Sequence, residues 1–135
     1  MTSNELTLKH ITILFTELED KGFGRNITID ATDDSVRSQI EEWANANGIT
    51  IRIKDYKNKS GDIVKQCQIK LSKFIRIAGK ESAWGENNLG YGAIINMIVS
   101  AYEYDNKFGK GKSCSISNIF ILEPAKNSKM DSIAE

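Results

Sequence analysis

Residues 49–77 run ITIRIKDYKNKSGDIVKQCQIKLSKFIRI, and their side chains alternate with the two-residue period of a β-strand on either side of one turn. In 49–56, Ile49, Ile51 and Ile53 point one way, while Thr50, Arg52, Lys54 and Tyr56 point the other. Lys57–Asp62 (KNKSGD) is turn chemistry: Gly61 takes a positive φ at no steric cost, and Asn58, Ser60 and Asp62 hydrogen-bond locally. The chain then returns over 63–77. Ile63, Cys67, Ile69, Leu71, Ile75 and Ile77 form an apolar row, and Gln66, Gln68, Lys70, Ser72, Phe74 and Arg76 form the opposite one. Lys73 interrupts the apolar row and predicts a bulge or bend. The segment is a hairpin with one face for a core.

A second pair of the same build follows. Ala93–Tyr104 and Ser113–Leu122 are rich in β-branched and aromatic residues, and Asp105–Lys112 (DNKFGKGK) connects them. Towards the N-terminus, HITILF within Leu6–Leu18 and NITIDA at Asn26–Ala31 are strand-like, separated by the turn at Gly22–Arg25. One stretch is helical, Ser35–Asn47: Asp33, Asp34 or Ser35 caps its start, Val36, Ile40, Trp43 and Ala44 share a stripe, and Gly48 stops it. About six strands and one helix make a mainly β barrel or sandwich. The expected domain is 1–124, entered by a polar, flexible N-terminal arm (1–9) and followed by a disordered tail (125–135).

A chain of 135 residues has room for one core. No apolar run approaches the roughly 20 residues of a membrane span, and MTSNELTLKH lacks the pattern of an export signal. Cys67 and Cys114 lie on strand-like stretches rather than in a spaced framework, which fits reduced thiols in a cytoplasm. The net charge is zero but segregated. Residues 1–48 hold four basic and nine acidic side chains, 49–80 hold nine basic and two acidic, and 81–135 hold five basic and seven acidic. A basic middle therefore survives inside a neutral total, and a polyanionic ligand is not excluded.

Catalysis has little to work with. His10 has no second histidine to pair with, neither cysteine has a CxxC partner, and the pairs Asp33–Asp34 and Glu41–Glu42 suit a helix start and a solvated helix face. Gly109–Ser113 (GKGKS) ends like a phosphate-binding loop, but Asn106 stands where its first glycine is required, and the segment joins two strands. No enzyme, metal, cofactor or small-molecule substrate is expected. Binding has more to offer. Arg52, Lys54, Tyr56, Lys70, Phe74 and Arg76 share the hairpin face opposite the core, where cations neutralise phosphates and rings stack on unpaired bases. The bland reading of that face is a solvated surface whose lysines discourage edge pairing. Trp84 and Tyr91, in the glycine- and asparagine-rich loop Glu81–Gly92, either stack on bases or, for Trp84, lid one end of the barrel. Lys107, Phe108, Lys110 and Lys112 make a second basic, aromatic loop or serve solubility.

Leu89–Glu123, LGYGAIINMIVSAYEYDNKFGKGKSCSISNIFILE, resembles the closing hairpin of the phage T7 class of single-stranded DNA-binding proteins. The correspondence runs through Gly90 and Gly92, the Tyr102–Tyr104 pair, the turn Lys107–Lys112 and the strand Ser113–Ile121. Relatives of that family also occur on conjugative plasmids of Gram-positive bacteria. The resemblance implies an oligonucleotide/oligosaccharide-binding (OB) barrel of five to six strands with one α-helix, which coats single-stranded DNA in phage or plasmid replication, recombination or conjugative transfer. Cooperative coating of a strand would require subunit contacts, so a homo-oligomer, cooperative along the strand, is the expected assembly. Phage members commonly end in a strongly acidic tail, whereas Ala125–Glu135 carries two lysines, one aspartate and one glutamate. The expectation is a sequence-tolerant single-stranded DNA-binding protein without a catalytic step. Its rivals are a β-barrel protein–protein interaction module and an RNA-binding OB domain.

Overall fold

The computed structural model describes residues 4–18, 24–57, 60–82, 84–85, 88–107 and 109–125. Among them the elements are β1 (Glu5–Glu17), β2 (Asn26–Asp30), α1 (Asp34–Asn47), β3 (Ile53–Lys57), β4 (Ile63–Gly79), β5 (Ile94–Asn106) and β6 (Gly109–Glu123). β1 pairs antiparallel with β5 through Glu5–Thr12 and with β2 through Ile13–Glu17. β5 runs antiparallel to β6, β6 parallel to β4, and β4 antiparallel to β2. That closes a ring of five strands, with β3 added outside it against Ile63–Cys67 of β4. The architecture is mainly β and OB-like, with one helix, as expected from the sequence. No helix among the described residues is long and apolar enough to cross a membrane.

Alternation fills the barrel. Ile27 and Ile29 of β2, Cys67, Ile69 and Leu71 of β4, Ile95, Met97 and Val99 of β5, and Ile116, Ile119 and Ile121 of β6 are buried. Fully burying one such aliphatic side chain contributes about 1.5–3 kcal/mol, so this interior is the main stabilising term. β1 serves both halves of the ring, and it does so through a bulge between Leu8 and Ile11. His10 there takes a left-handed φ of 55°, and its backbone N–H donates to Asn96 Oδ1 at 2.9 Å. The lone histidine is thus an exposed bulge residue.

α1 follows β2 directly. Asp33 is the cap, its carboxylate accepting from the Ser35 and Val36 N–H groups at 2.8 and 3.4 Å. Ile40, Trp43 and Ala44 are buried, which plugs the barrel with the stripe the sequence showed. Gly48 ends the helix at a φ of 68°, and the Ile49 N–H donates to the Ala44 carbonyl at 2.8 Å.

Three boundaries differ from the sequence reading. The strand expected from Ile49 begins at Ile53, because the helix cap holds Ile49 and its side chain fills the core before pairing starts. The connection expected at 105–112 is shorter: Asn106 pairs with Gly109, so Lys110 and Lys112 are strand residues. The expected arm is already β1 from Glu5, because alternation places Leu6 and Leu8 opposite Val99 and Met97. The first three residues of that arm, and the tail from residue 126, lie outside the described residues.

Cys67 and Cys114 are free and buried. Burial, with the Cys114 thiol adding to it, pushes the Cys67 thiol from the usual 9.0 up to about 12, and burial raises Cys114 as well. Between 9.0 and about 12 the unfolded chain gives up a proton that the native chain keeps, so stability falls as pH rises through that window. Urea midpoints are expected to drop across it in the wild type and to drop less in Cys67→Ala. Equal pH dependence of the two proteins would contradict this assignment.

Candidate nucleic-acid interface

With Ile27, Ile29, Cys67, Ile69 and Leu71 turned inward, their neighbours on β2 and β4 must face out. The register aligns Asn26 with Lys70, Thr28 with Gln68, and Asp30 with Gln66. β3 continues this outer face, with Lys54 opposite Gln66 and Tyr56 opposite Val64. β1 adds Phe15 beside Thr28, and the Phe15 and Tyr56 rings meet edge to face at 6.1 Å. Both rings stay partly exposed.

β4 then leaves its regular course. Leu71 pairs with Ile116 and Arg76 with Asn118, so Ser72–Ile75 fall between two pairs that β6 separates by Ser117 alone. The extra length bulges outward at the place Lys73 predicts. The Phe74 N–H donates to Ser72 Oγ at 3.2 Å, which helps shape the bulge. Phe74 stands 87% exposed, a large apolar ring with almost no protein cover.

Beside the bulge lies a groove of about 1460 Å³. Arg25, Asn26, Gln68 and Lys70 line one side, and Ser72, Lys73 and Phe74 line the bulge itself. Ser100 and Tyr102 of β5, Ser115 and Ser117 of β6, Gly24, Leu71 and the carboxylate-bearing Glu17 line the rest. The Leu71 N–H donates to the Arg25 carbonyl at 2.9 Å, which fastens the start of β2 to β4 at the groove. Gln68 Nε2 donates to Asn26 Oδ1 at 2.9 Å, and Ser100 Oγ donates to Ser117 Oγ at 3.0 Å. The groove thus offers cations for phosphates, amides and hydroxyls for base edges, and a bare ring for stacking.

The residues singled out from the sequence separate into groups. Lys70 and Phe74 line the groove. Lys54 and Tyr56 lie on its outer-face continuation, and exposed Arg52 enters β3 just ahead of them. Arg76 is carried past the bulge to the β4–β6 pairing and away from the groove lining. Trp84 is half-buried and packed on the core, and a Cβ added at Gly79 would lie 2.7 Å from the Trp84 Cβ. Of its two readings, the lid is the one this packing matches. Tyr91 is exposed on the connection between β4 and β5, outside the groove lining. Lys107 is exposed at the β5–β6 turn, Lys110 Nζ lies 3.8 Å from Asp105, and the Lys112 side chain runs along the helix-ending Gly48. α1 has no basic residue in its last turn, so Lys112 supplies the cation that a helix C-terminus favours. Phe108 lies outside the described residues.

Sequence reasoning missed Arg25, Asn26 and the serines of β5 and β6 as groove residues, and Phe15 as an aromatic of the outer face. Arg25 carried the one usable signal, a cation directly after a turn glycine. The serines carried none, because they come to the groove only when the barrel closes.

The closed ring order, with its parallel β4–β6 pair, is that of an OB-like barrel. The single-stranded DNA-binding protein of bacteriophage Enc34, in a C-terminally truncated form, has a similar structure. It is 14% identical over 91% of this chain and 88% of that one, with a TM-score of 0.62. The same phage protein in complex with single-stranded DNA gives 11% identity, 91% and 88% coverage and a TM-score of 0.60. Bacteriophage T7 gp2.5, a single-stranded DNA binding protein, gives 14% identity, 94% and 96% coverage and a TM-score of 0.47. No family model matches the chain, and no curated protein matches it. At these identities the likeness to the Enc34 protein is one of fold.

The β5–β6 hairpin beside the groove depends on a close contact. A Cβ added at Gly111 would lie 2.5 Å from Cζ of Tyr104, its cross-strand partner. Gly111→Ala therefore displaces the partly exposed Tyr104 ring, with an expected loss of about 1 kcal/mol in urea unfolding. A Tyr104→Ala background should remove most of that loss. A full loss in both backgrounds would contradict the contact.

Proposed function

We propose that the protein binds single-stranded DNA without regard to sequence and coats it in the cytoplasm during phage or plasmid replication, recombination or conjugative transfer, with no catalytic step. The observation that carries this reading is the groove lined by Arg25, Lys70 and Lys73 against one carboxylate, Glu17, together with the 87% exposed Phe74. Phosphates lie against the cations, and bases stack on Phe74 and Tyr102. Arg52, Lys54 and Tyr56 extend the track along the outer face of β3 and β4. The fold likeness to the Enc34 protein, which has been seen in complex with single-stranded DNA, supports the same ligand class. Cooperative coating would also require contacts between subunits along the strand.

The test is titration of labelled oligo-dT of about 30 nucleotides, long enough to exceed the roughly 4–16 nucleotides one OB barrel covers. Phe74→Ala should weaken binding about 5- to 150-fold, which corresponds to roughly 1–3 kcal/mol for one stacked base. Lys70→Ala should weaken it less and reduce its salt dependence. Both sites are exposed, so melting temperatures should hold. Wild-type affinity in a folded Phe74→Ala variant would contradict the groove reading. An equal-length oligo-U competitor that displaces the DNA at equal concentration would move the ligand from DNA to single strands of either sugar.

A further inference from the structure

The bulge that brings Phe74 to the groove also sends Arg76 to a different surface. There the register lines up four strands. Arg76 lies beside Asn118 and Asn118 beside Ile98, while Ala78 lies beside Phe120 and Phe120 beside Asn96. The His10 N–H bond to Asn96 ties β1 into the same row. Ile95, Met97, Ile119 and Ile121 are buried, so these alternate positions face out. Phe120 is 42% exposed, and its neighbour on β4 is an alanine too small to cover it.

Charge distinguishes this face from an ordinary sheet exterior. Arg76 and Lys80 are exposed, and neither forms an ion pair among the described residues. The outward positions between them on β4, β5 and β6 carry no carboxylate; exposed Glu81 directly follows Lys80, and Glu123 stands at the margin, opposite Ile94. One open ring, two flanking amides and two cations outside the ion pairs among the described residues match a nucleotide chain better than a second copy of this protein, which would need a broader apolar area. The face is also continuous with the groove, since Phe74 and Arg76 are two residues apart on β4. From Arg76 to Gly79 the strand covers about 10 Å at roughly 3.3 Å per residue.

We propose that this face is a second contact for single-stranded nucleic acid, holding the continuation of the strand that lies in the groove. Phe120 stacks on a base, Asn96 and Asn118 meet base edges or sugar, and Arg76 and Lys80 neutralise phosphates. The inference rests on the proposed single-strand binding and adds that the bound strand crosses the Phe74 bulge and continues around the barrel.

The experiment compares oligo-dT of about 8 nucleotides, sized for the groove, with oligo-dT of about 30, in wild type, Phe120→Ala and Arg76→Ala/Lys80→Ala. The short strand should bind all three proteins alike. The long strand should bind Phe120→Ala at least about fivefold more weakly than wild type. The Arg76→Ala/Lys80→Ala variant should lose about 0.7 per cation from its log–log salt slope, with the long strand only. Identical length and salt dependence in all three proteins would overturn the second contact and leave the groove standing. A change in the sedimentation of free Phe120→Ala, with long-strand affinity unchanged, would assign the face to subunit contact and overturn it too. Failure of wild type to bind even the short strand would overturn the groove reading, and this inference with it.

Discussion

β4 hydrogen-bonds to three other strands, and the closure of the barrel depends on how it shares its length among them. Its first half is held by β3 and β2, and its second half by β6 in parallel register. Each backbone hydrogen bond contributes only about 1 kcal/mol net, but one left unmade in the interior costs more than it would have contributed. Both halves must therefore find partners. The two registers do not join smoothly, and the mismatch is taken up in Ser72–Ile75. A charged Lys73 suits a segment that cannot face the core.

The candidate site follows from that mismatch. A regular strand would have kept Lys70, Phe74 and Arg76 on one row, as alternation alone implies. The bulge instead lifts Phe74 to the lip of a groove and passes Arg76 to the neighbouring sheet face. The groove is then finished by residues from far along the chain: Arg25 anchored to Leu71 on one side, Tyr102 and the serines of β5 and β6 on the other. The charge distribution follows the same line. The basic middle of the chain is largely β3 and β4, whereas acidic residues concentrate before it, many of them on α1 and its cap. A neutral protein thereby presents a locally positive track, which is what attraction of a polyanion requires.

The helix and the strand pairs were legible because their signals are local. Asp33, the Val36–Ala44 stripe and Gly48 sit within one segment, and two-residue alternation marks β4 and β5 directly. The outward side of Lys54, Tyr56 and Lys70 was legible for the same reason. Alternation could not tell that Gly48 would hold Ile49 in a helix cap and delay β3 to Ile53. Nor could it tell that a Gly-Lys-Gly-Lys run would pair as strand, which here depends on Tyr104 lying over Gly111. Trp84 read equally well as a stacker or a lid until its packing over Gly79 was known. The serines of the groove had no sequence signature at all, because only ring closure brings β5 and β6 beside β2 and β4.

The most direct test of the central claim is the salt dependence of oligo-dT binding by the unmodified protein, followed by fluorescence of the labelled strand. With Arg25, Lys70 and Lys73 lining the groove, log affinity should fall linearly with log salt concentration, at roughly 0.7 per phosphate neutralised. Absence of binding at low salt, or an affinity indifferent to salt, would contradict the account. The basic outer face of β3 and β4 would then be only a solvated surface.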